Sequence, residues 1–276
     1  MNPHQSQPAS LWALFVSLVK NRQLALQMMR REVIGRYRGS MMGLAWSFFN
    51  PLFMLSIYTF VFTIVFKARW GVEAGGGKAD FAILAFVGLI VHGLFAECIN
   101  RAPTLVIANV NFVKKVIFPL EILPWVACGS ALFHAAISLL VLLLVQLLFQ
   151  HQIPWTAIFF PLILLPLIFM AMGFSWFLAS LGVYLRDVAQ VTGILTTVLM
   201  YISPVFYPVS ALPPQYQGWL QLNPLTLIIE DGRNTLTLGQ LPQWGAWFRL
   251  LVISIAVAWV GYVWFQKTRK GFADVL

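Results

Sequence analysis

The sequence predicts an all-α polytopic membrane protein with six transmembrane helices, an N-terminal interfacial helix and short external gate helices. Three observations carry that reading. Hydrophobic residues make up 60% of the 276 and charged residues only 10%, with a mean hydropathy of +0.81, which leaves too little charge to cover a soluble surface. No residue from Ile122 to Leu185 is charged, nor any from Val188 to Ile229, so both stretches far exceed the ~20 apolar residues that cross a bilayer. Lysines and arginines flank the apolar runs and form no stripe interleaved with stacking aromatics, so no nucleic-acid partner is expected.

Residues 1–40 read as a cytoplasmic tail and an amphipathic interface helix. Ser10 is a helix cap for a segment continuing to about Arg31. At ~100° per residue, Ser17, Lys20, Asn21, Gln23, Gln27, Arg30 and Arg31 share one face, opposite Leu11, Leu14, Phe15, Leu18, Ala25 and Met29. A helix of this kind lies in the membrane interface. The run Leu11–Val19 is followed by Lys20, Asn21 and Arg22 where a cleavage site would need small residues, so it is not expected to be a signal peptide.

Residues 41–276 read as the membrane domain. The first span is expected over Met41–Phe66, and the Gly-rich stretch Trp70–Asp80 turns the chain into a second, Phe81–Asn100. A polar segment with Arg101, Lys114 and Lys115 precedes the third span, Leu123–Phe149. The fourth covers Trp155–Tyr184 and the fifth Val191–Val209; the sixth ends at Lys267-Thr268-Arg269-Lys270. Between the fifth and sixth, residues 210–245 hold apolar runs too short and too interrupted by Pro213 and Pro214 to cross, which predicts half-inserted helices. The alternate sides carry thirteen basic residues against five, with Lys20 to Arg38, Arg101, Lys114, Lys115, Arg186 and Lys267 to Lys270 on the richer side, so both termini are expected in the cytoplasm.

Chemistry is sparse. His4, His92, His134 and His151 are scattered, with His92 and His134 read as helix-packing residues that hydrogen-bond across the bundle. Cys98 and Cys128 sit near cytoplasmic helix ends, and no metal motif includes them. Gly75-Gly76-Gly77-Lys78 lacks the Ser or Thr of a phosphate loop, because Ala79 follows and Val72 stands where the first glycine belongs. No Walker motif exists elsewhere, so energy is expected from a partner, unless transport is passive. Glu97 is the one ionisable residue that an ion path within the spans would use, and it also reads as a hydrogen-bonded helix-end residue.

Arg30-Arg31-Glu32 leading to Arg36-Tyr37-Arg38-Gly39-Ser40, then Gly43-Leu44-Ala45-Trp46 and Asn50-Pro51-Leu52, resembles the entry to the first span of the ABC-2 polysaccharide export permeases. The likeness continues through Asn111-Phe112-Val113-Lys114-Lys115-Val116-Ile117-Phe118-Pro119-Leu120-Glu121-Ile122-Leu123-Pro124, Tyr184-Leu185-Arg186-Asp187-Val188, Ser203-Pro204-Val205-Phe206-Tyr207-Pro208 and Asn223-Pro224, covering nearly the whole chain in order. The resemblance implies a homodimer in the bacterial inner membrane, served by two separate cytoplasmic ABC ATPase subunits that bind ATP and Mg, with no cofactor in this chain. It implies export of a lipid-linked polysaccharide, preferably O-antigen-type glycan on polyprenyl pyrophosphate, with capsule and teichoic acid left open, through a channel between protomers and in contact with membrane lipids.

On the same resemblance, the pyrophosphate entrance falls on Arg36, Tyr37 and Arg38, whose guanidinium forks match phosphate oxygens. Channel lining falls on Trp46, Asn50, Phe53, Tyr58, Phe60, Tyr201 and Phe206, since neutral aromatic rings stack on the C–H faces of sugars. Coupling to the ATPase falls on residues 109–119, with Asn111, Lys114, Lys115, Phe118 as apolar anchor, and Pro119; residues 210–245 become the external gate. Two other readings stay open at this point: an ABC-2 drug or lipid exporter permease, and a membrane-embedded transferase acting on lipid-linked sugar. The latter needs convergent acid-base residues, which the sequence does not display.

Overall fold

The computed structural model describes residues 10, 16–17, 19–65, 78–114 and 118–276, and every regular element among them is helical. The first helix, α1, is Arg22–Tyr37, six residues longer at its C-terminal end than the sequence suggests. No breaker intervenes before Arg38, whose backbone turns extended, and Gly39, which takes a left-handed φ of 88°. Ala25 and Val33 are buried on its inner face, while Leu11, Leu14, Phe15 and Leu18 lie outside the described residues.

The first span begins as α2, Trp46–Thr59, and continues in π geometry over Phe60–Val65. The second is α3, Lys78–Arg101. Short turns and α4, Val110–Lys114, carry the chain to α5, Leu123–Gln150. A left-handed His151 ends α5. The fourth span is assembled from the short helix α6, Phe160–Ile163, and the longer α7, Leu165–Tyr184.

Next comes α8, Val188–Ile202. Its 15 residues span only about 22 Å, and it stops seven residues before the expected Val209. Pro204 forces Ser203 out of helical geometry, to ψ 148°, and ends the helix there. Two short helices follow, α9 (Pro214–Gln221) and α10 (Pro224–Leu236), then α11 (Trp244–Thr268) and α12 (Phe272–Val275).

Among the described residues four helical stretches are long and apolar enough to cross a membrane: Phe81–Thr104, Leu120–Gln150, Trp155–Tyr184 and Trp244–Val275. With the shorter apolar α8 and the α2 and π segment, the architecture is that of an all-α polytopic membrane protein.

Helix α3 is the hub. Phe81 to Val87, Ile90, Val91, Leu94 and Phe95 are all buried. Helices α7 and α11 approach so closely that a Cβ on Gly261 would overlap the backbone of Gly173, as small residues permit inside a membrane.

Polar bonds gather at two ends. At one, Glu121 accepts from Ser17 Oγ at 2.9 Å and from Arg269 Nη1 at 2.7 Å, while Tyr184 OH donates to the Thr268 carbonyl at 2.9 Å. At the other, Gln146 Nε2 donates to the Leu236 carbonyl at 2.8 Å and Thr156 Oγ1 to the Thr235 carbonyl at 2.6 Å. Ser17, near the start of the chain, and Arg269, near its end, therefore meet on Glu121 at the same end of the bundle.

Candidate functional site

A groove of about 370 Å³ opens between α1, α2, α3 and α5. Trp46, Asn50, Met54 and Tyr58 line it because successive fourth residues of α2 share one helical face. Phe86, Leu89 and Ile90 of α3 form the opposite apolar wall. Arg36 and Tyr37 reach it because α1 extends through Tyr37 before the chain turns away at Arg38.

One end of the groove is charged. Arg36 Nη1 lies 2.6 Å from Glu97 Oε1 and 3.2 Å from His134 Nδ1. Both oxygens of Glu97 stand 3.0 Å from His134 Nδ1. A carboxylate only accepts, so the ring hydrogen belongs on Nδ1. Arg101 Nη1 approaches Glu97 Oε1 at 3.6 Å, and its Nη2 pairs with Glu32 of α1. His134 Nε2 is buried and meets no hydrogen-bond partner among the described residues. At Tyr37, partial burial pushes the phenol pKa above its ordinary value, with Arg36 opposing, so the ring is a neutral hydroxyl at physiological pH.

Farther along, the phenyl ring of Phe206 lies 5.9 Å from Tyr58 and 6.4 Å from Tyr201, joining α2 to the end of α8. Tyr207 OH donates to the carbonyls of Tyr201 and Ile202 at 3.1 and 2.8 Å, satisfying the last turn of α8. His92 Nε2 donates to the Thr196 carbonyl at 2.9 Å and ties α3 to α8.

The residues singled out from sequence thus separate. Arg36, Tyr37, Trp46, Asn50 and Tyr58 share the groove. Tyr201 and Phe206 form an aromatic cluster with Tyr58. Phe53 and Phe60 fall on another face of the first span and are exposed at 59% and 56%, and Arg38 is exposed beyond the helix end. In the segment 109–119, Asn111 is exposed and Pro119 half-buried. Lys114 ends α4, and Lys115 lies outside the described residues.

Phe118 corrects an expectation. An anchor for a partner must be presented outward, but this ring is 8% exposed and stacks on Phe112 at 4.3 Å, inside its own chain. Its carbonyl accepts from Arg269 Nη2 at 2.8 Å.

Sequence reasoning read His134 as a helix-packing residue and Glu97 as an ion-path or helix-end residue, and did not link them to Arg36. It placed Arg233 in the half-inserted helices of residues 210–245 but gave its side chain no role. That guanidinium is buried, donating from Nε to the Leu84 carbonyl at 2.9 Å, from Nη2 to the Val205 carbonyl at 2.7 Å and from Nη1 to Glu230 at 3.0 Å. Burial brings its pKa down to about 10, against the pull of Glu230, so it stays charged at neutral pH.

A family model described as ABC-2 type transporter matches residues 23–237. The chain belongs to that family. The matched stretch of this ABC-2 chain runs from α1 through α10 and takes in the groove, the segment after α3 and Arg233. It is 25% identical over 259 residues to the O-antigen export system permease protein RfbA of Myxococcus xanthus, covering 93% of this chain and 96% of that one. A Klebsiella pneumoniae O-antigen export system permease protein RfbA is 25% identical over 244 residues, 87% of this chain and 90% of its own. The polysialic acid transport protein KpsM of Escherichia coli is 22% identical over 241 residues, 87% and 91% of the two chains.

Proposed function

We propose that this ABC-2 chain is the membrane permease of an ATP-driven exporter of an O-antigen or capsule class polysaccharide carried on a polyprenyl pyrophosphate. Two copies form the channel in the bacterial inner membrane, both termini face the cytoplasm, and two separate ATPase subunits bind ATP and Mg. The observation that carries the reading is the groove itself: a guanidinium at one end suits a phosphate, and Trp46, Asn50 and Tyr58 along its length suit sugar. Near full-length similarity to O-antigen export permeases supports the same class.

In this reading Arg36 receives the diphosphate at the cytoplasmic entrance, with Tyr37 and Arg38 beside it. The glycan then moves along aromatic faces, through Tyr58, Tyr201 and Phe206, which bind without trapping because stacking is neutral and repeated. Trp46, Phe53 and Phe60 extend the same lining in the dimer. Residues 109–119, with Asn111 exposed and Lys114 and Lys115 supplying charge, transmit the ATPase stroke, and Phe118 braces that segment from within. The helices of residues 210–245 close the outer mouth.

The test is reconstitution of the chain with its partner ATPase in vesicles holding a prenyl-linked glycan. ATP-dependent appearance of glycan on the far side is expected only with both subunits. Transport by the chain alone, or none by the pair, overturns the reading.

A further inference from the structure

We propose that Glu97 is a built-in competitor that makes the entrance selective, keeping Arg36 from single-charge phospholipid headgroups and yielding it to a diphosphate. The inference rests on the reading of Arg36 as the phosphate-receiving group.

A half-exposed arginine at the membrane interface faces a selection problem. Anionic phospholipids are abundant there and carry the same donor-matching phosphate oxygens as a lipid-linked substrate. An unpaired Arg36 would be occupied by them. Instead its Nη1 sits 2.6 Å from a carboxylate on a neighbouring span, and its side chain remains 54% exposed. Only that nitrogen is engaged among the described residues, so the outer donors of the fork can meet a second anion before the first is released.

Charge decides which anion wins. A phosphodiester headgroup carries one negative charge, like the carboxylate, and must also desolvate to enter a contact that Glu97 already holds. A diphosphate bridging lipid and sugar carries two charges on adjacent groups and gains more from the same guanidinium. The exchange does not strand Glu97. His134 Nδ1 stays at 3.0 Å from both its oxygens and Arg101 Nη1 at 3.6 Å, so its charge remains compensated after Arg36 swings away. A lone ion pair would lack that reserve and would resist opening.

The full chain in lipid nanodiscs, with undecaprenyl pyrophosphate as probe, tests this. Wild-type affinity should be nearly the same in phosphatidylcholine and in discs containing phosphatidylglycerol. Glu97→Gln should bind about three- to tenfold tighter in phosphatidylcholine, because Arg36 is released from its competitor. That variant alone should lose about tenfold when phosphatidylglycerol is added. In the Arg36→Gln background the Glu97 substitution should change nothing, since the two act through one contact.

Loss of binding in Arg36→Gln with no lipid-dependent change in Glu97→Gln leaves the phosphate entrance standing and overturns the competitor. Equal binding by wild type and Arg36→Gln overturns the entrance and this inference with it. Inorganic pyrophosphate should compete more weakly than the prenyl-linked probe; equal competition means a cytosolic diphosphate site and overturns lipid selection. If Glu97→Gln does not insert, Glu97→Asp retracts the carboxylate by one methylene and should show the same lipid dependence with smaller amplitude.

Discussion

Arg233 Nη2 and the carbonyl of Val205 are 2.7 Å apart, joining α10 to the non-helical turn that follows α8. Through Nε the same guanidinium holds the Leu84 carbonyl of α3, so one side chain fixes three segments at the end of the bundle opposite the termini. Arg233→Lys keeps the charge but lacks the fork that reaches two carbonyls. It should lower stability by about 1–2 kcal/mol, and Arg233→Ala by about 3–4 kcal/mol, because Ala leaves buried carbonyls unsatisfied. Thermal unfolding in detergent gives both values; equal melting of wild type and Arg233→Ala would show that the contacts carry no stability.

Close helix contact makes a second prediction. A Cβ on Gly261 would overlap the Gly173 backbone, whereas one on Gly129 would first meet the side chain of Met29, which can rotate aside. Gly261→Ala should cost about 2–3 kcal/mol and Gly129→Ala less than about 1 kcal/mol. Comparing the two melting temperatures checks the difference, and a larger loss at Gly129 would contradict it.

The spans were legible in the sequence because a bilayer demands long uncharged runs, and Leu123–Gln150, or Leu250–Gln266 within α11, can satisfy that locally. Boundaries that rest on one residue were legible too late: Pro204 sits in plain view, yet the apolar run to Val209 hides its effect on Ser203. The groove was half legible. Trp46, Asn50 and Tyr58 follow a four-residue period, but Glu97 and His134 come from two other helices, and no periodicity tells which side chains those helices aim at Arg36. Arg233 was not legible, since a charge in a Pro-rich stretch reads as exposed until the carbonyls of Leu84 and Val205 enclose it. The Glu230-x-x-Arg233 spacing within an apolar helix was its one signal.

The aromatic cluster predicts different outcomes for ring and hydroxyl. Tyr58→Phe retains the stacking surface toward Phe206, while Tyr58→Ala removes it. If the ring is a sliding surface for sugar, Tyr58→Phe should export within about twofold of wild type and Tyr58→Ala should fall about tenfold, at equal protein abundance. Surface glycan measured by labelling checks this. Equal loss in both variants would assign the role to the hydroxyl.

Coupling to an ATPase is tested by charge reversal at the end of α4. Lys114→Glu with Lys115→Glu should leave insertion intact and weaken co-purification of the ATPase by about tenfold, as like charges meet across the contact. Phe118→Ala makes a contrast: its ring packs on Phe112 inside the chain, so it should lower thermal stability before it lowers association. An intact complex in the double reversal would leave those lysines with topology alone.

Arg36 and Arg38 share a sequence motif, but the structure gives them unequal surroundings. Arg36 lines the groove and touches Glu97 at 2.6 Å and His134 at 3.2 Å. Arg38 stands exposed beyond the end of α1, with its backbone N–H bonded to the Gly35 carbonyl, and does not line the groove. Lysine at either position preserves positive charge and so preserves orientation in the membrane. A lysine at 36, however, supplies a point charge where a fork spans a carboxylate and a phosphate in turn. Arg36→Lys should therefore insert normally, reduce glycan export about tenfold and reduce substrate-stimulated ATP hydrolysis in parallel. Arg38→Lys should export within about twofold of wild type, because an exposed charge is served equally by either side chain. Abundance, orientation by accessibility labelling and surface glycan, measured on both variants, separate the two positions. Equal impairment would mean that both arginines receive the phosphate, and equal competence would reduce both to topological signals.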